Sequence, residues 1–170
     1  VGESIGIEVL NWLSGIPAEV QMMLLSALPL TELRASIPIA YGVWAWPWWK
    51  IYILAVVGNM LPVPFILLFL EPVSRFLSRW KFFERFFEKL FERARRRAGS
   101  KIEKYRALGL TLFVAIPLPV TGAWTGSLAA FLFGIPKRMA IPAITLGVVI
   151  AGGIITLIMK GVLAGLGFLI

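Results

Sequence analysis

Two long apolar stretches, about 16–73 and 107–163, flank a single basic block, and no other feature narrows the fold of this chain as much. From Ser74 to Arg106 there are twelve Lys/Arg and four Glu, which is the whole of the chain's net charge of +8. Of the 170 residues, 59% are hydrophobic and 15% charged, well below the roughly 25% charged residues of a soluble domain. The chain therefore reads as an integral membrane protein with one membrane domain over 1–170. A basic block between membrane-grade segments follows the positive-inside rule better than it suits nucleic acid, so 74–106 is expected to be cytoplasmic and no nucleic-acid partner is expected. The opening Val1-Gly2-Glu3 has no basic n-region, so no signal peptide is expected. A multi-pass protein of the cell (plasma) membrane is the expectation.

Three residue types are missing. There is no Cys, His or Asp, and all nine acids are Glu. A disulfide framework, a Cys/His metal site, a Ser-His-Asp triad and an aspartyl phosphoenzyme all need one of them. No catalytic residue, metal site or cofactor is expected, and the chain is not read as an enzyme.

Each apolar stretch begins with a segment too interrupted to cross a membrane. In the first, Met22 to Leu28 is followed by Pro29, Thr31, Glu32, Arg34, Ser36 and Pro38 before Ile39 to Trp46 resumes. In the second, Leu110 to Ile116 is followed by Pro117, Pro119, Thr121 and Gly122 before Ala123 to Phe133. A crossing helix needs about 20 apolar residues, and these arms are shorter. Both segments are expected to be re-entrant helical hairpins, with irregular backbone tolerated only in protein or against a cavity. Spanning helices are expected behind them, roughly Trp48 to Val73, kinked at Pro62 and Pro64, and Lys137 to Leu163.

The halves also match each other. Ala27-Leu28-Pro29-Leu30 aligns with Ala115-Ile116-Pro117-Leu118, Gly42 and Pro47 with Gly134 and Pro136, and Gly58 with Gly147. With the basic block inside, the first spanning helix runs inward and the second outward, which puts Lys137 and Arg138 on the cytoplasmic side and makes the halves inverted repeats. Repeat one is about 16–73 and repeat two about 107–163. Broken helices meeting near the midplane are a transporter pattern. The alternative is a plain four-helix membrane bundle whose prolines are kinks. Trp44, Trp46, Trp48 and Trp49 read as an outer interfacial belt, with Lys50 as an outside exception.

The basic block reads as an amphipathic helix joining the repeats. Phe76, Trp80, Phe83, Phe87, Leu90 and Ala94 keep heptad spacing, with Lys81, Arg85, Lys89 and Arg93 on another face. It suits a docking surface for a partner subunit, anionic lipid, or a structural connector.

The residues hardest to justify as packing are the site candidates. Glu32 leads, because an ionisable group at the membrane centre costs about 2.5–3.5 kcal/mol on insertion scales. A carboxylate in a low dielectric can exchange a proton, while the nearby Arg34 stays charged and grips phosphate or carboxylate in two places. A self-neutralising Glu32–Arg34 pair is the competing reading. Thr31, Ser36, Asn59, Thr121 and Thr125 add polar groups for substrate or coupling ion, and Pro29, Pro38, Pro117, Pro119 and Gly122 form the hairpin turns. Gly122 to Gly126 is also a small-xxx-small packing pattern.

Glu32-Leu-Arg-Ala-Ser-Ile-Pro38, Gly58-Asn-Met-Leu-Pro62-Val-Pro64 and Ala115-Ile-Pro-Leu-Pro-Val-Thr-Gly-Ala-Trp-Thr-Gly126 resemble the small multidrug export protein family over about residues 20–160. More distantly the pattern is similar to the DedA (VTT-domain) superfamily. That resemblance implies opposed re-entrant hairpins and lipid transport, undecaprenyl-phosphate carriers included, with Glu32 at the acidic position of the first hairpin. The second hairpin departs from DedA members, which carry arginines around the proline turn, whereas 113–126 has none. The expected function is a transporter or flippase for an anionic or phosphate-bearing lipid, coupled to protons or another ion. A proton-driven small-molecule or multidrug exporter and a non-transporting membrane scaffold are the alternatives. The expected partners are the lipid bilayer and the anionic lipid substrate, and the reading leaves room for a homodimer.

Overall fold

A computed structural model of the chain describes residues 8, 12, 13, 15–77, 100–117 and 121–167. The described residues are helical, with no strand among them. In chain order the elements are α1 (Ala18–Ala27), α2 (Glu32–Val43), α3 (Trp48–Met60), α4 (Pro62–Leu77), α5 (Ser100–Ala115), α6 (Ala123–Leu132) and α7 (Lys137–Gly167). Most of the basic block, 78–99, lies outside the described residues, and with it the expected amphipathic helix.

Prolines and one glycine set the ends. Pro29 disfavours helical backbone at the preceding residue, and Leu28 is extended at φ −73°, ψ 141°, so α1 stops at Ala27. Pro117 stands just beyond the end of α5 in the same way. Pro62, which lacks an N–H, opens α4 where that donor would be unused in any case, and Leu61 joins α3 to α4 through bonds to the Val57 and Gly58 carbonyls. α6 ends in a Schellman turn. Gly134 takes the left-handed conformation at φ 65°, its N–H bonds the Phe131 carbonyl at 3.1 Å, and that of Ile135 bonds the Ala130 carbonyl at 2.8 Å.

Two segments, Trp48–Leu70 and Lys137–Val162, are long and apolar enough to cross a membrane, with mean hydropathy 2.4 each. Only 28% and 39% of these stretches are buried, and Phe65, Phe69 and Leu157 are more than 60% exposed. Core helices of a soluble protein would bury such side chains, so the outward-facing apolar surface is that of a membrane protein. α1, α2 and α6 have 10, 12 and 10 residues, which at 1.5 Å per residue gives them about 15–18 Å, half of a hydrocarbon core of about 30 Å.

The chain divides into two compact units, 1–61 with 148–170, and 62–147. In the first, α1, α2 and α3 pack against one another around Met22, Leu25, Ile37, Ala40, Ile51 and Ala55, all fully buried. The hydroxyls of Ser26 and Ser36 tie α1 to α2 at 2.6 Å in this core. In the second unit, α6 packs on α4 and α5, with Val63, Val114, Ala123, Ala130 and Ile144 at its centre.

The break in the first hairpin is shorter than the sequence suggests. Pro29 lies in it, but α2 resumes at Glu32 and Pro38 sits inside that helix rather than in the turn. Leu33, Ile37 and Ala40 continue a buried stripe at helical spacing through the polar run, and their packing outweighs the hydrogen bond that Pro38 cannot donate. The second break, between Ala115 and Ala123, falls where the sequence puts it, and Pro117 lies in it. Pro119 is outside the described residues.

Element boundaries keep the offset of the sequence match. α1 and α5 end 88 residues apart, and the long helices beginning at Trp48 and Lys137 start 89 apart. One packing contact keeps it as well. A Cβ on Gly58 would lie 2.7 Å from Cα of Met23 on α1, and a Cβ on Gly147 would lie 2.9 Å from the carbonyl oxygen of Thr111 on α5. In each unit the glycine of a long helix lets the first arm of that unit's hairpin approach to backbone contact.

Candidate functional site

The turn between α1 and α2 collects the polar groups of the first unit. Thr31 lies just before α2, and its hydroxyl donates to the Leu25 carbonyl, one of the last four carbonyls of α1 that have no helical partner. The Glu32 N–H bonds the Leu28 carbonyl at 2.9 Å, and that of Ala35 bonds the Thr31 carbonyl at 3.1 Å. Held from both sides, Glu32 adopts φ 44° as the first residue of α2. It is the one non-glycine with positive φ among the described residues. Such a conformation costs about 1–3 kcal/mol and persists only where its surroundings enforce it.

The Glu32 side chain is buried, at 8% exposure. It stands in the first turn of α2, where the helix dipole favours a negative charge. Nη2 of Arg34 is 3.5 Å from its Oε2, and the Arg34 side chain keeps 22% of its surface open. The two charges meet at the long end of hydrogen-bond range, and the Arg34 side chain is mostly buried.

Ser36 and Thr31 are spent on the hairpin itself, through Ser26 and Leu25. Asn59, near the end of α3, is 1% exposed, and neither its amide nitrogen nor its oxygen has a hydrogen-bond partner among the described residues. It therefore bonds to neither Glu32 nor Arg34. Leaving a buried amide unsatisfied costs about 1–3 kcal/mol per group. Among the described residues no group of three or more acidic side chains could hold a metal ion.

The second hairpin is built differently. The Thr121 hydroxyl donates to the Ile116 carbonyl at 2.7 Å, and the Gly122 N–H donates to the Thr125 hydroxyl at 2.9 Å, which satisfies the start of α6. A Cβ on Gly126 would come within 2.5 Å of Cγ2 of Val114, so Gly126 serves close packing between α5 and α6. Charge is concentrated in the first turn, and the second is neutral.

A family model described as "Putative small multi-drug export protein" matches residues 32–154. The chain belongs to the small multi-drug export protein family. The match begins at Glu32 and takes in Arg34, Asn59 and the second hairpin. No curated protein and no solved structure matches the chain. Sequence reasoning reached Glu32, Arg34 and Asn59 because ionisable and amide groups stand out in apolar surroundings. It passed over two polar residues of α7, Thr156 and Lys160, although their spacing of four, repeated by Trp48 and Tyr52 on α3, was readable.

Proposed function

We propose that this member of the small multi-drug export family is a multi-pass secondary transporter of the cell membrane. It moves amphiphiles with an anionic or phosphate-bearing head group and couples that movement to protons through Glu32. The observation that carries the reading is the buried Glu32 side chain on left-handed backbone, with the Arg34 guanidinium 3.5 Å away. Strain and burial at one ionisable residue are the marks of a working site rather than of packing. Arg34 takes the head group and Glu32 takes the proton, with Asn59 as a polar contact.

The repeat reading is supported by the shared glycine contact. A second reading, proton-driven export of small molecules, is favoured by the family description. Arg34 separates the two, since a fixed guanidinium attracts anions and repels cationic drugs.

The test is transport in proteoliposomes under a proton gradient, with a fluorescent lipid phosphate and a cationic dye as alternative substrates. The lipid phosphate should move, Glu32→Gln should abolish the dependence on the gradient, and Arg34→Lys should weaken uptake by loss of the planar grip. Full wild-type transport in a Glu32→Gln, Arg34→Gln double variant would reject the mechanism and leave a structural ion pair.

A further inference from the structure

A second polar arrangement lies on α3 and α7 in the first unit. Trp48 and Tyr52 are one turn apart on α3, and Thr156 and Lys160 are one turn apart on α7. With Gly153 and Leu157 they line a cavity of about 180 Å³. Tyr52 is already committed, its hydroxyl donating to the Val149 carbonyl at 3.0 Å, and Cε2 of its ring would lie 3.1 Å from a Cβ on Gly152. That close approach fixes the ring as a wall. One residue on, a Cβ on Gly153 would meet nothing within 4 Å, so the wall at Gly153 is open.

Two groups on this cavity lack what their counterparts elsewhere have. Thr156 is 4% exposed, and its hydroxyl has no hydrogen-bond partner. Three other helical hydroxyls bond the carbonyl one turn back: Thr145 to Ile141 at 2.8 Å, Thr111 to Ala107 at 3.0 Å and Ser127 to Ala123 at 2.7 Å. Thr156 forgoes that bond; the residue lines the cavity, while its hydroxyl is sealed from solvent. Lys160 stands over the Trp48 ring, its Nζ 4.8 Å from the centroid. Lys50 is paired with Glu19 at 2.7 Å, but Lys160 has no ion-pair partner among the described residues.

We propose that this cavity binds the anionic head group of an amphiphile, a carboxylate or phosphate monoester on an alkyl chain. The Lys160 ammonium donates to the head-group oxygens, and a turn of the Thr156 side chain about χ1 brings its unpartnered hydroxyl to them as well, while Trp48, Tyr52 and Leu157 cover the first methylenes. A volume about six times the ~30 Å³ of a liquid water molecule holds a head group and a few carbons, so the rest of the chain trails into the bilayer. A cationic head group is disfavoured because Lys160 already occupies the face of Trp48 that would receive it. The site is separate from Glu32 and stands whether or not Glu32 couples to protons.

Calorimetric titration of the full chain in an uncharged detergent tests this with decyl phosphate, decanoate, inorganic phosphate and decyltrimethylammonium, corrected for empty micelles. The two anionic amphiphiles should saturate one site. Inorganic phosphate and the cation should not. Lys160→Gln should weaken binding at least about tenfold, as expected for losing a charged hydrogen bond, with Lys160→Arg restoring most of it, and Gly153→Leu should block the cavity. Thr156→Val should weaken binding about tenfold and raise the melting temperature, because a hydroxyl without a partner is removed. A merely structural Thr156 would not give that opposition. Unchanged affinity in Lys160→Gln and Thr156→Val, tight binding of decyltrimethylammonium, or inorganic phosphate binding as well as decyl phosphate would each overturn the proposal.

Discussion

Glu32 combines two separable properties, a carboxylate and a left-handed backbone, and substitutions can take them apart. Glycine adopts φ 44° without penalty. Glu32→Gly is therefore expected to fold, with thermal stability in detergent equal to wild type or better by up to about 1 kcal/mol, while losing proton-coupled transport. Valine, branched at Cβ, resists that angle, and Glu32→Val should cost about 1–3 kcal/mol in the same melt. The glycines divide by their surroundings rather than by their residue type. Gly58→Ala and Gly147→Ala push a methyl into backbone atoms that cannot swing aside, and each should lower stability by about 1–3 kcal/mol. Gly153→Ala meets open space within a helix and should raise it by about 1 kcal/mol. Equal melting temperatures across this series would contradict the packing described.

At the scale of elements, α1 is tied to α3 by packing and by one exposed ion pair, Glu19 with Lys50, whose ammonium also lies 4.0 Å from the centroid of the Trp46 ring. The hydrogen bond from Lys50, with smaller help from the backbone and from the Lys50 charge, holds the Glu19 carboxyl below the usual 4.5. A folded-state pKa below the unfolded one means that the contribution is fully present above about pH 4.5 and fades as pH falls through the lower folded value. Wild type should therefore melt above Glu19→Gln at pH 6, and the difference should shrink as pH falls below 4.5 and be lost in stronger acid. The pair is solvent-exposed and should weaken with added salt. A constant difference from pH 6 to pH 3 would show that Glu19 acts through packing.

At the scale of the whole molecule, the prediction concerns topology. With no native cysteine in the chain, single cysteines report position cleanly. A cysteine at Lys89 is expected to label only from the cytoplasmic side, and one at Lys50 only from outside. A cysteine at Lys137 should behave like Lys89. External labelling at Lys89 would reverse the orientation, and labelling of Lys50 and Lys137 from the same side would remove the opposed spans on which inverted repeats depend.

Charge and proline are local signals, and what they determined was readable in the residues alone. The excess of Lys/Arg in one block, the apolar runs from Trp48 and Lys137, and the stops at Pro29 and Pro117 gave the membrane class, the long helices and the ends of α1 and α5. Each depends on solvation or on φ at one or two residues, not on distant partners. The 88-to-89 offset was likewise visible in the order of Ala, Pro and Gly. Tertiary packing decided that α2 begins at Glu32 and carries Pro38 within it, because the buried stripe of Leu33, Ile37 and Ala40 outweighs one missing hydrogen bond. It also spent Thr31, Ser36, Thr121 and Thr125 on local bonds while leaving Asn59 and Thr156 unsatisfied. Which hydroxyl finds a carbonyl, and which glycine meets another backbone, depends on distances between segments far apart in the chain, and composition and periodicity carry no record of those distances.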